Sequence, residues 1–225
     1  MQALESTLIL IAGATGGVGQ WVVRHLIASG KLVRVLVRSL EVAGELFGDD
    51  VEIMGGDVTD PASLPPAMEN VSVVISAIGS RMSEGMSTPE HVDYEGVRNL
   101  VDAAVNAGVS RFLLVSSCQV THPENPLNRF GRVLDWKFQG EEYLRNSGLQ
   151  YTIVRPGGLN DEPGGQAAIE FRQGDKRSGM ISREDIAIIL CQAAESPYTI
   201  NKTFEVVWGR GPPLRDWDVL FKKLQ

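Results

Sequence analysis

The stretch LILIAGATGGVGQWVV, Leu8 to Val23, decides how the rest of the chain is read. It opens on a short apolar, isoleucine-rich run of the kind that forms a buried strand. It closes on residues of helical period, with Val18, Val22 and, beyond the quoted end, Leu26 on one face. Between the two lie Gly13, Gly16 and Gly19. The first glycine permits a tight turn, the second lets backbone approach a pyrophosphate, and the third allows close helix packing, while the amides of the helix N-terminus face the anion. Thr15, Gly17 and Val18 fill out the loop, and a dinucleotide is the expected ligand.

Apolar runs recur downstream at LVRVLV (32–37), VEIM (51–54), VSVVISAIG (71–79), RFLLVSS (111–117) and YTIVRP (151–156). Their length and composition suit strands buried on both faces. Stretches of helical period separate them, at VGQWVVRHLIASG, HVDYEGVRNLVDAAVNAGV and DWKFQGEEYLRNSG. Gly30, Gly108 and Gly148 stand where left-handed C-caps would end helices. Alternation of strand and helix predicts an α/β fold, a doubly wound parallel sheet of Rossmann type, because each crossover must carry the chain back over the sheet.

After Pro156 the rhythm changes to a loop, GGLNDEPGGQ, then a helix near REDIAIILCQAAES, a strand KTFEVVW and a last helix LRDWDVLFKKL. The chain is expected to be a single nucleotide-binding domain over 1–225. Its residues 156–225 would form a small C-terminal extension walling the substrate side of a cleft at the carboxyl ends of the strands.

Composition narrows the function. With 28 acidic and 21 basic residues the net charge is −7, and no Lys/Arg run offers a patch for nucleic acid. Cys118 and Cys191 lie far apart, suggesting neither a disulfide framework nor a metal cluster, which fits a reducing compartment. The first apolar run is too short to span a bilayer and follows no basic leader. A cytoplasmic location is expected, or an organelle stroma if a transit peptide has been removed.

The second strand usually carries an acid to the ribose hydroxyls of NAD. Here LVRVLVRSL ends on Arg38 and Ser39, and a guanidinium gives a 2′-phosphate a planar, charge-assisted grip. NADP is therefore the expected nucleotide. Arg34, on the same side of an alternating strand, lies too far back to reach the ribose. In GGDVTD, Asp57 and Val58 are placed to meet the adenine edge and face, and Asp57 serves equally well as a turn residue.

With the Gly13 to Gly19 loop, Arg38, GGDVTD, SAIG and YTIVRPGGL in this order, the chain resembles the atypical short-chain dehydrogenase/reductase family over nearly its whole length. Within that family it is similar to small plant and cyanobacterial NADP-binding members. The resemblance implies that Ala77, Ile78 and Gly79 line the cofactor after the fourth strand. Ser116 and Ser117 would end the fifth near the nicotinamide, and Pro156 and Gly157 would lie beside the carboxamide.

In the stretch GRVLDWKFQGEEYL (131–144) the resemblance sends Lys137 to the nicotinamide ribose. The departure is Val133, one helical turn before that lysine, where the family's full active site has a tyrosine acid. Lys137 and Ser117 are then the candidate catalytic residues; for the Ser117 hydroxyl, as for His122, Cys118, Tyr94 and Tyr143, a local structural role reads better than proton donation. Two classes of function follow: an NADPH-dependent reductase passing hydride to a conjugated acceptor such as a flavin or linear tetrapyrrole, which solvent can protonate, or a redox-silent NADP-binding module that docks on a protein partner. Open aromatic lining above the nicotinamide would favour the first and an exposed apolar patch elsewhere the second, and Trp136, Phe138, Trp208 and Trp217 are candidates for either surface.

Overall fold

The computed structural model describes residues 7–80, 88–176, 178–213 and 216–225. Residues 81–87, within the loop sequence GSRMSEGMSTPE (79–90), and the start of the expected last helix at 214 and 215 lie outside the described residues. The chain runs through β1 (Leu8–Ala12), α1 (Gly17–Ala28), β2 (Leu32–Val37), α2 (Leu40–Phe47), β3 (Glu52–Gly55), α3 (Pro65–Met68), β4 (Val71–Ser76) and a π-helical turn at Glu90–Gly96 leading into α4 (Val97–Asn106). It continues through β5 (Arg111–Val115), α5 (Val133–Arg145), β6 (Gln150–Pro156), β7 (Gly158–Asn160), β8 (Ile169–Arg172), β9 (Met180–Ser182), α6 (Arg183–Glu195), β10 (Lys202–Trp208) and α7 (Trp217–Phe221).

Eight strands form one sheet in the order β3-β2-β1-β4-β5-β6-β10-β8, parallel except for β8, which runs antiparallel to β10. Helices cover both faces, the doubly wound Rossmann-type arrangement that the alternating runs predicted. Successive residues of β1 show why its sequence is apolar throughout: Ile9 and Ile11 enter the core under α1 and α6, and Leu10 and Ala12 enter the core under α4. Ile9, Leu10 and Ile11 each contribute about 1.5–3 kcal/mol when fully buried, so neither face tolerates a polar residue here. β3 lies at the sheet edge and is the least buried of the first strands.

Gly30, Gly108 and Gly148 adopt φ of +71°, +70° and +84°, the left-handed conformation expected at those positions. The segment after Pro156 differs from its reading as a plain loop. Residues 158–160 are the strand β7, which pairs in parallel with β9 as a separate two-stranded sheet.

The strand order reverses between β1 and β4, since β2 and β4 lie on opposite sides of β1 in the sheet. In open α/β sheets this switch point opens the crevice that takes a ligand at the strands' carboxyl ends. No helix among the described residues is long and apolar enough to cross a membrane.

Candidate functional site

A cleft enclosing about 930 Å³, its open mouth included, lies over the carboxyl ends of β1, β2, β3 and β4. Its floor is the glycine loop. Gly13 has φ of +83°, and a methyl group on it would come within 2.6 Å of the Ala77 carbonyl oxygen. Only glycine lets the two strand ends close together, and the Ala77 amide donates to the Ala12 carbonyl across them. A methyl on Gly19 would overlap the Gly13 carbonyl, so the first turn of α1 also packs without room for a side chain. Such a cradle fits a pyrophosphate, with the unpaired first amides of α1 facing it.

Of the residues singled out from sequence, Gly13, Thr15, Gly16, Arg38, Asp57, Val58, Ala77, Ile78 and Gly79 line this cleft. Gly17, Val18 and Gly19 form the first turn of α1 behind it. Arg38 is exposed at the end of β2. Ser39 caps α2, its hydroxyl accepting from the Val42 amide at 3.3 Å. Asp57 lines the cleft and acts as a turn residue, its Oδ1 accepting from the Thr59 amide and hydroxyl, each at 2.9 Å. Arg34 is held elsewhere, donating to the Ala67 and Glu69 carbonyls and to Glu52. The sequence reading missed Leu36, Val37, Gly56, Thr59, Ser80 and Val92, which also face the cleft.

A narrow crevice, too tight to hold a water molecule, continues from Ile78 between α4, α5 and β5, and here Lys137 meets Asp93. Its Nζ lies 2.6 Å from Oδ1 of Asp93, a carboxylate with no solvent exposure. The other oxygen, Oδ2, accepts from the Ser80 amide at 3.1 Å. Gly140 makes this meeting possible, because a methyl there would stand 2.7 Å from the Asp93 carbonyl oxygen. A mid-helix glycine costs roughly 1 kcal/mol against alanine; here it brings α5 onto the π-helical turn that presents Asp93. Such turns often occur at functional sites. The ammonium stands beside Gly79, 3.8 Å from where a methyl on that glycine would be. Ser116 lines the same recess, and its buried hydroxyl has no hydrogen-bond partner among the described residues.

The structure does not bring Ser117, Pro156 and Gly157 to either recess. The Ser117 hydroxyl donates to the Cys118 carbonyl at 3.1 Å, the local capping role. Val133 is the first residue of α5, half-buried. Tyr143 faces away, its hydroxyl donating to Asp102 at 2.6 Å. That bond, with burial, raises its pKa. Tyr94 stacks on Trp136, ring centroids 5.9 Å apart. Trp208 donates to Asp185, and Trp217 packs on Phe221, so neither is free to line the cleft. His122 bridges Glu124 and the Asp175 carbonyl, and these contacts, the Glu124 bond first, raise its pKa. Burial pushes both thiols, Cys118 and Cys191, up to about 12.

Comparison with known proteins agrees with this geometry. A family model described as NAD(P)H-binding matches residues 13–197. An uncharacterized chloroplastic protein of Arabidopsis thaliana, At2g34460, is 37% identical over 99% of this chain and 84% of its own. Sanguinarine reductase of Eschscholzia californica is 32% identical over 96% of this chain and 95% of its own. The photosystem II assembly factor Ycf39 of a Synechocystis strain is 33% identical over 90% of this chain and 63% of its own. Among solved structures, ChuY, an anaerobillin reductase of Escherichia coli O157:H7, superposes with a TM-score of 0.77 at 27% identity, covering 92% of this chain and all of that one. A short-chain dehydrogenase/reductase of Veillonella parvula in complex with NADP shares the fold, with a TM-score of 0.72 at 20% identity over 92% of this chain and 97% of that one.

Proposed function

The chain belongs to the NAD(P)H-binding, atypical short-chain dehydrogenase/reductase family, and from that premise we propose that it is an NADPH-dependent reductase that passes hydride to a conjugated small-molecule acceptor of flavin or tetrapyrrole type. When bound, the nicotinamide nucleotide supplies the hydride. The chain's own residues bind and orient. Amides of the Gly13–Gly19 loop and the start of α1 hold the pyrophosphate, Arg38 and Ser39 take the 2′-phosphate, and Asp57 and Val58 meet the adenine. Ala77, Ile78 and Gly79 support the nicotinamide half, and Lys137 and Ser116 hydrogen-bond its ribose. Residues 156–225 wall the substrate side.

The observation that carries the substrate class is the Lys137–Asp93 pair. In the full family site a lysine lowers the pKa of a phenol one turn away; here Val133 offers no phenol, and the ammonium is neutralised by a buried carboxylate instead. An alkoxide product would lack an acid, whereas a delocalised anion can wait for solvent. Two relatives named as reductases support the reading. The test is steady-state NADPH oxidation with a flavin beside a simple ketone. Flavin turnover far above ketone turnover supports the proposal, and equal turnover of both refutes it.

The second reading, a redox-silent module for a protein partner, is favoured by one specific observation: both candidate catalytic side chains, Ser117 and Lys137, are already engaged within the protein. The relative named as an assembly factor is consistent with it. NADPH binding without oxidation by any conjugated acceptor would support this reading.

A further inference from the structure

Arg183 opens α6 beside the glycine loop, and its position has no role in the readings above. Its side chain lies directly over Gly17, the first residue of α1: a methyl group on that glycine would stand 2.7 Å from the Arg183 Cδ and 2.9 Å from its Nε. The absence of a side chain at position 17 is therefore what admits the Arg183 side chain over the first turn of α1, beside the glycine loop. Its Nη1 donates to Oδ1 of Asp161 at 2.8 Å. The Asp161 side chain is 85% exposed and that of Arg183 30%. An ion pair this open to water holds its partners weakly and exchanges them readily.

The loop that carries Asp161 is anchored to the same helix. The Gly164 amide donates to Glu184 at 2.8 Å and the Gly165 amide to Asp185 at 2.7 Å, both carboxylates from the first turn of α6. Loop and helix start thus form one unit, with the Arg183 cation held on an exposed carboxylate next to the first turn of α1. Arginine fits a phosphate in a bidentate, charge-assisted way that a monodentate surface carboxylate contact does not match.

We propose that Arg183 is a pyrophosphate-clamping residue: its guanidinium rests on Asp161 in the nucleotide-free chain and transfers to the pyrophosphate when a dinucleotide binds. The proposal rests on the reading of the cleft as a nucleotide site and adds a residue to it. Asp161 is then a competitor for the cation, so removing its charge should strengthen binding, which a purely structural ion pair would not do.

The test is calorimetric titration of the full chain with two probes. NADP carries a pyrophosphate; 2′-AMP carries the adenosine 2′-phosphate without one. Arg183→Met should weaken NADP by about tenfold, the effect of one charge-assisted bond, and leave 2′-AMP within about twofold. Arg183→Lys should recover part of the loss, and Asp161→Asn should tighten NADP about two- to fivefold, each with a wild-type melting profile. Equal weakening of both probes by Arg183→Met, no weakening of either, or weaker NADP binding by Asp161→Asn would overturn the clamp while leaving the nucleotide reading intact. Failure of the wild-type chain to bind NADP would overturn both.

Discussion

Replacing Lys137 with methionine should destabilise the protein far more than a surface lysine would, because it strands a charge. Asp93 has a fully buried side chain, and without the ammonium 2.6 Å away only the Ser80 amide remains to satisfy it. Breaking a buried pair by removing one partner costs about 3–5 kcal/mol. For a chain of this size each kcal/mol lowers the melting temperature by roughly 2–4 °C, giving about 6–20 °C in all. Asp93→Asn should cost less, because the Lys137 side chain is 18% exposed and its ammonium can draw on water. Combining the two changes removes both charges, so the double variant should be more stable than Lys137→Met alone. Calorimetric melting of the four proteins forms the cycle. Melting of Lys137→Met within about 1 °C of wild type would refute the reasoning and show the pair to be worth no more than an exposed one. The consequence for function is practical. Any effect of Lys137 on nucleotide binding must be measured in the Asp93→Asn background, where stability is not also changing.

Further expectations follow from the same geometry. Arg38→Ala should weaken NADP by roughly ten- to a hundredfold and leave NAD nearly unchanged in calorimetric titration, since a charge-assisted bond contributes about 1.5–3 kcal/mol; equal losses would assign Arg38 to the sheet. Gly19→Ala should disrupt the loop and abolish nucleotide binding even where a folded protein is recovered, because its methyl meets backbone rather than a movable side chain; unaltered affinity would contradict the cradle. Both cysteines should resist iodoacetamide at pH 8 until the protein unfolds, because thiols pushed up to about 12 hold almost no thiolate there. Their folded pKa lies above the unfolded value, so the stability they contribute is complete below about pH 8.5 and declines as pH rises from there toward 12. Melting scans across that range would show it. Val133→Tyr should be tolerated at the half-buried start of α5 and confer some ketone reduction, general acid catalysis being worth roughly 10² to 10⁴; no gain in a folded variant would mean that Lys137, held by Asp93, cannot tune a phenol.

The fold was legible where local pattern and long-range packing agree. Runs such as Leu8–Ala12 are apolar on both faces because both faces are covered, and the three capping glycines adopt the φ their positions demand. β7 and β9 were not legible, since three residues each carry no alternation and their pairing joins distant segments. The glycine loop and Arg38 were readable because a phosphate site needs those residue types in that order. Asp93 was not: its neighbour Tyr94 drew attention by type, whereas the burial of Asp93 depends on Gly140 letting a distant helix approach. Arg183 was hidden for the same reason, as only the packing of α6 on α1 brings it to Gly17.

The most direct test of the proposed activity is single-turnover hydride transfer, mixing the protein with a flavin and NADPH that carries deuterium in the transferred position at C4. A rate well above that in buffer, slowed by the deuterium and little changed between pH 6 and 8 as solvent supplies the proton, is what a reductase without its own acid predicts. Flavin reduction no faster than in buffer, from protein shown by titration to bind NADPH, would contradict it.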